Sequence, residues 1–185
     1  ILKIFSILSS LSFAAVISTP TAVESFDPTE AEDFVTVRLL MNLGAGLVRY
    51  DRELKIVPGI AKSWSFSSDK KTIRFELGTH RWQDGTTIAA KDFVYGINRI
   101  RKGKAKLAQP LRDILKTVEA TSDTKLTVQL SKSASYALYL FALPFTFPQR
   151  PDSDYSKNSS GPFSIEAFQR GSHIQLTPNS KSSSP

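Results

Sequence analysis

Few side chains in this sequence are equipped for chemistry, and their spacing narrows what that chemistry could be. There is no cysteine, which excludes disulfides, thiolate zinc sites, iron–sulfur clusters and cysteine nucleophiles. The two histidines, His80 and His173, sit far apart, and neither has a nucleophile and an orienting acid at a recognisable spacing. They read as exposed or hydrogen-bonded residues, and an enzyme is not expected. So few good ligands also argue against a transition-metal site. The pair Gly44-x-Gly46 lacks the third glycine of a dinucleotide loop, and no other phosphate-cradling motif occurs, so no cofactor is expected.

Two charged groups remain. Glu32 and Asp33 open an apolar helical pattern, where acidic side chains suit the positive end of the helix dipole. Arg99, Arg101, Lys102, Lys104 and Lys106 crowd the end of a second helix, where cations complement the negative end. Nucleic-acid binding is the competing use of that cluster, but no recognition-helix or RNA-binding signature accompanies it, so no nucleic acid is expected as a partner. The net charge of +7, from 24 basic and 17 acidic residues, is common on soluble surfaces and decides nothing alone.

The elements that must position these groups follow from periodicity. Ile1 to Ile17 is almost wholly apolar or hydroxylated, too short to span a bilayer, and followed by small residues. It reads as a signal peptide over 1–22, cleaved after Ser18 or Ala22. No initiator Met opens it, which leaves room for residues before Ile1. Asp27-Pro28 makes a loop. Phe34, Val35, Leu39, Leu40 and Leu43 predict a helix over 31–43 with one apolar face, stopped by Gly44 and Gly46. Leu47 to Tyr50 continues as a short strand. The alternation of Trp64 and Phe66, then Ile73, Phe75 and Leu77, predicts two half-buried strands joined through the polar run Ser67–Lys71. Trp82-Gln83-Asp84-Gly85-Thr86 is a turn leading into a helix that carries Phe93, Ile97 and Ile100. Strands follow around Val118 and Leu126–Leu130, then a helix over 136–143 stopped by Pro144, and a last hairpin through Phe163–Ile165 and Ile174–Leu176.

Several segments of this chain resemble solute-binding protein family 5, the oligopeptide- and dipeptide-binding receptors of bacterial ABC importers. Ser25-Phe26-Asp27-Pro28 is similar to the family's opening motif, and Asn42-Leu43 followed by Gly46-Leu47-Val48 is similar to its helix exit. Pro58-Gly59-Ile60-Ala61-Lys62-Ser63-Trp64 matches a further segment. Trp82-x-Asp84-Gly85-Thr86, followed by Ala90-x-Asp92-Phe93-Val94-Tyr95, is the most specific, and Gly161-Pro162-Phe163 resembles the return strand. These residues also have structural uses. Gly85 suits a turn with positive φ, Asp84 bonds turn backbone, and Trp64 and Trp82 are large enough to anchor a sheet core. One departure is Ala89, where the family often has a hydroxyl cap; a missing cap typically costs about 1 kcal/mol.

The resemblance implies an α+β fold, a periplasmic-binding-protein-like (type II) first lobe with a small inserted sheet-rich subdomain, and with the second lobe absent. The expected division is 23–46 and 144–179 for the lobe, 47–143 for the insert, and an unpacked tail over 180–185. It implies that Glu32, Asp33 and Phe34 touch ligand. It also implies an exported, periplasmic monomer that captures a peptide or other small solute between lobes and passes it to an ABC permease in the membrane. A truncated, non-binding piece of such a receptor is the alternative.

Overall fold

The computed structural model describes residues 15–18, 23–103, 105–151 and 154–182. Most of the expected signal peptide lies outside them, but the backbone of Ala15–Ser18 forms a strand, β1. It pairs antiparallel with the last strand, β9 (His173–Pro178), which also pairs with β8 (Phe163–Gln169). This three-stranded sheet, in the order β1-β9-β8, joins the two ends of the chain.

Between them lies a four-stranded antiparallel sheet built from β4 (Ala61–Phe66), β5 (Thr72–Leu77), β6 (Leu115–Ser122) and β7 (Lys125–Leu130), in the order β4-β5-β7-β6. Ile73, Phe75 and Leu77 all point into the core, as a period of two requires. On β7 Leu126, Val128 and Leu130 do the same. The helix α2 (Ala90–Lys102) covers this face with Phe93, Ile97 and Ile100, each at most 1% exposed. Phe141 closes the layer by meeting Phe75 edge-on at 5.5 Å. The expected helix over 136–143 shrinks to one turn, Ala137–Leu140.

The small ribbon of β2 (Val48–Tyr50) and β3 (Ile56–Pro58) leads from the first helix into the sheet. After Pro58-Gly59 the chain bonds back onto the helix exit, Ile60 N–H donating to the Gly46 carbonyl at 2.9 Å and Ala61 N–H to Leu47 at 2.9 Å. The two tryptophans differ. Trp82 is fully buried, whereas Trp64, expected to anchor the sheet, is only partly covered at its margin on β4.

The first helix, α1 (Phe34–Leu43), begins at Phe34 and not at Ala31, because Asp33 is its N-cap, accepting from Thr36 N–H at 2.8 Å. Its buried side is Thr36, Leu39, Leu40 and Leu43. Phe34 is 78% exposed. Nine residues, about two and a half turns, separate it from Leu43, so it stands on the opposite face from the one its hydrophobicity suggested. At the other end, Ser180–Ser182, expected to be unpacked, form a turn in which Asn179 Oδ1 accepts from Lys181 N–H at 3.1 Å.

Candidate functional site

The loop at Asp27-Pro28 is organised by its own carboxylate. Asp27 Oδ1 accepts from Thr29 N–H at 2.9 Å and from the Thr29 hydroxyl at 2.8 Å, an Asx turn. Arg99, reaching from α2, grips both oxygens, Nη1 to Oδ1 at 2.9 Å and Nη2 to Oδ2 at 2.5 Å. Arg99 also donates to Gln149 Oε1. Burial pushes the Asp27 carboxyl up, but the bonds from Arg99 and Thr29 outweigh it and hold the group below the usual carboxylate range. The bonds that Arg99 donates to Asp27 in turn raise its own pKa. Three segments distant in sequence are thus tied at one guanidinium.

Two hollows adjoin this tie. The first, about 470 Å³, lies between Thr29, Glu30 and Glu32 on one side and Arg99, Lys102, Gly103 and Ala105 on the other. Glu32 leans toward it and accepts weakly from Lys106 N–H at 3.3 Å. Phe34 projects from the next residue but one. Asp33, the third expected ligand residue, is occupied as the helix cap; burial pushes its carboxyl up, but the bonds from Thr36 and from the neighbouring backbone together outweigh it and hold the group low. The second hollow, about 490 Å³, is lined by Phe26, Pro28, Tyr95, Gln149 and Asp154 among others.

The motif Trp82-Gln83-Asp84-Gly85-Thr86 serves the scaffold. Gly85 has φ of +89°, which only glycine adopts without strain. Asp84 Oδ1 accepts from Thr86 N–H at 2.8 Å, and Asp84 Oδ2 receives Asn158 Nδ2 at 2.9 Å and Arg150 Nη1 at 3.0 Å. Arg150 also lies 4.7 Å over the Trp82 ring. Trp82 Nε1 donates at 3.2 Å to Asp92 Oδ2, which also accepts from Ala89 N–H at 3.0 Å. That second bond is half of a capping box, so α2 is partly capped despite Ala89. A cavity of about 760 Å³ opens beside these residues, with Asp84 and Arg150 in its wall already committed to each other. Gly161 N–H donates to Leu43 O at 2.8 Å. Its Cα lies so close that an added Cβ would stand 2.6 Å from that backbone.

The basic cluster does not form one open face. Arg99 is spent on Asp27, and Arg101 donates to the Lys116 carbonyl; Lys104 lies outside the described residues. Of the histidines, His80 is half-buried, and burial lowers its pKa; His173 starts β9 and meets Ser172 Oγ at 3.1 Å. Among the described residues no group of three or more His, Cys, Asp or Glu could hold a metal, and no helix is long and apolar enough to cross a membrane. Arg99 was visible in the sequence only as one more cation at a helix end. Gln149 and Arg150 carried no signal, since their partners lie 50 to 66 residues away.

The model for bacterial extracellular solute-binding proteins, family 5 Middle, matches residues 55–181. The periplasmic oligopeptide-binding protein OppA of Escherichia coli is 30% identical over 151 residues, 68% of this chain and 26% of that protein. A dipeptide-binding protein of Lactococcus lactis is 30% identical over 154 residues, 71% of this chain and 27% of that protein. The chain therefore spans about a quarter of these curated relatives. Among solved structures, an oligopeptide ABC transporter substrate-binding domain from Bacillus anthracis superposes with TM-score 0.82 at 23% identity, covering 90% of this chain and 38% of that one. Haemophilus influenzae OppA in complex with RPPGFSPFR superposes with TM-score 0.80 at 24% identity, covering 89% and 38%. These superpositions give the fold as that of a periplasmic-binding-protein lobe.

Proposed function

Because the chain belongs to the bacterial extracellular solute-binding proteins of family 5, we propose that it supplies one wall of a receptor that captures peptides for an ABC importer. The observation that carries this reading is the hollow that Glu32 lines beside a loop already pinned by Arg99, with a solvent-facing Phe34 at the start of the helix that follows. The rigid loop keeps the ordering cost of binding low. The named functions of the relatives support a peptide as the guest. Main-chain hydrogen bonds would supply affinity and adaptable side-chain pockets tolerance. Closure of a facing lobe over the peptide would then present it to a membrane permease. Transport energy belongs to the partner ATPase, so this chain acts outside the cytoplasmic membrane as a monomer, with no bond made or broken.

Isothermal titration of the purified chain with short peptides such as trialanine tests this. Saturable heat that is lost in Phe34→Ser supports a peptide contact at this residue. No heat from a chain with a native circular dichroism spectrum overturns it for this chain, and leaves a non-binding piece of a receptor.

A further inference from the structure

The strand β1 lies inside the stretch that reads as a signal peptide, and its pairing bears on where that peptide ends. Ala15, Val16, Ile17 and Ser18 pair with Leu176, Gln175, Ile174 and His173, so β1 borders β9 along most of its length. Ile174 and Leu176 on β9 are each 1% exposed. A cut after Ser18 would strip β1 away and leave that side of β9 as a bare edge, with its row of backbone N–H and C=O groups unpaired. A cut after Ala22 would remove β1 as well, and would create a charged α-ammonium on Val23, a residue only 3% exposed. A charge in so covered a place is costly.

The sequence offers a third position. In an extended substrate alternate side chains fall on one side, so the residues first and third before a signal-peptide cut must both be small to fit the peptidase together. Ser12-Phe13-Ala14 meets this requirement. Ahead of it stand Lys3 and the apolar or hydroxylated run Ile4 to Leu11, in the order that an export signal requires. For a cut after Ser18 the third residue back is Val16, branched at Cβ. For a cut after Ala22 it is Pro20, whose ring fixes φ and removes an N–H donor from the extended segment.

We propose that a membrane signal peptidase hydrolyses the bond between Ala14 and Ala15, so that the exported chain begins with β1. Water adds across the bond: the carbonyl carbon takes the oxygen and becomes the Ala14 carboxylate, and the amide nitrogen becomes the α-ammonium of Ala15. The new charge then stands at the start of an edge strand, and the four pairings to β9 are kept. The proposal rests on the reading that the chain acts outside the cytoplasmic membrane, and is independent of peptide capture.

Incubating the purified full chain with a bacterial signal peptidase in detergent micelles, and weighing the products by intact mass spectrometry, tests it. The expected product begins at Ala15 and is lost in Ala14→Phe, whose ring is too large for the position before the cut. Products that begin at Thr19 or Val23 overturn the proposal and leave export standing. A chain left whole overturns it together with the export reading. A second measurement compares the melting of chains prepared to begin at Ala15 and at Thr19. The shorter one should melt about 4 °C or more lower, or fail to fold; an equal Tm overturns the part assigned to β1. Neither experiment depends on trialanine binding, so failure of peptide capture would leave both results unchanged.

Discussion

Arg99 holds Asp27 through both terminal guanidinium nitrogens although 72 residues separate them. The fork-on-fork geometry gives direction as well as attraction, and through it the Asp27-Pro28 loop takes its position from α2.

Asp27→Asn keeps the shape and removes the charge. Because both side chains are partly open to solvent, 23% for Asp27 and 35% for Arg99, the expected loss at neutral pH is about 1–2 kcal/mol. The Asp27 pKa is lowered by folding, so the unfolded chain takes up the proton first as pH falls. Stability from this group is complete above the ordinary carboxylate pKa of about 4 and drains away as pH drops through the folded value. Thermal melts from neutral to acid pH should show the gap between wild type and Asp27→Asn closing toward acid. A gap constant with pH would show that the pair contributes no such linkage.

Gly161→Ala forces a methyl group to 2.6 Å from the Leu43 carbonyl, a backbone contact that cannot turn aside. A destabilisation of about 1–3 kcal/mol is expected, which for a chain of this size lowers Tm by about 2–4 °C per kcal/mol. Calorimetry measures it, and an unchanged Tm would mean that Gly161 is not packed against Leu43 as described.

Asp33 and Phe34 are adjacent but should behave oppositely. Asp33→Ala removes the cap of α1 and should cost about 1 kcal/mol, with its effect on peptide binding following only from the helix end. Phe34→Ser touches no core and should change stability by less than about 0.5 kcal/mol, while weakening peptide binding. Denaturant melts paired with titration separate the two, and a strongly destabilised Phe34→Ser would place that ring in the core after all.

Arg150→Met removes the cation over Trp82 and both of its bonds to the Asp84 turn. The turn loses one of its ties to the return segment, the bond from Asn158 to Asp84 remaining, and a loss of about 1–2 kcal/mol is expected. In a Trp64→Phe background, where Trp82 is the sole indole, fluorescence should redden as water reaches the ring. An unmoved emission maximum would show that Arg150 does not shield it.

Much of the scaffold was legible from local pattern. Ile73, Phe75 and Leu77 alternate because successive strand residues face opposite sides, and Phe93, Ile97 and Ile100 line one side of a helix for the same kind of reason. Gly85 announced its turn because the backbone there needs positive φ. The motifs in order pointed to the family, which the match over 55–181 bears out. Periodicity misplaced Phe34 because an apolar pattern records hydrophobicity and not which side of the helix the rest of the molecule covers. The sites themselves were hidden. Arg99 read as a cation suited to a helix end until folding set Asp27 and Gln149 against it. Gln149 and Arg150 found their partners across 50 and 66 residues. Turns, strands and helix faces rest on neighbours within a few residues, so their physics is written along the chain. The Asp27–Arg99–Gln149 tie and the hollows beside it exist only where packed elements bring distant polar groups within hydrogen-bond reach.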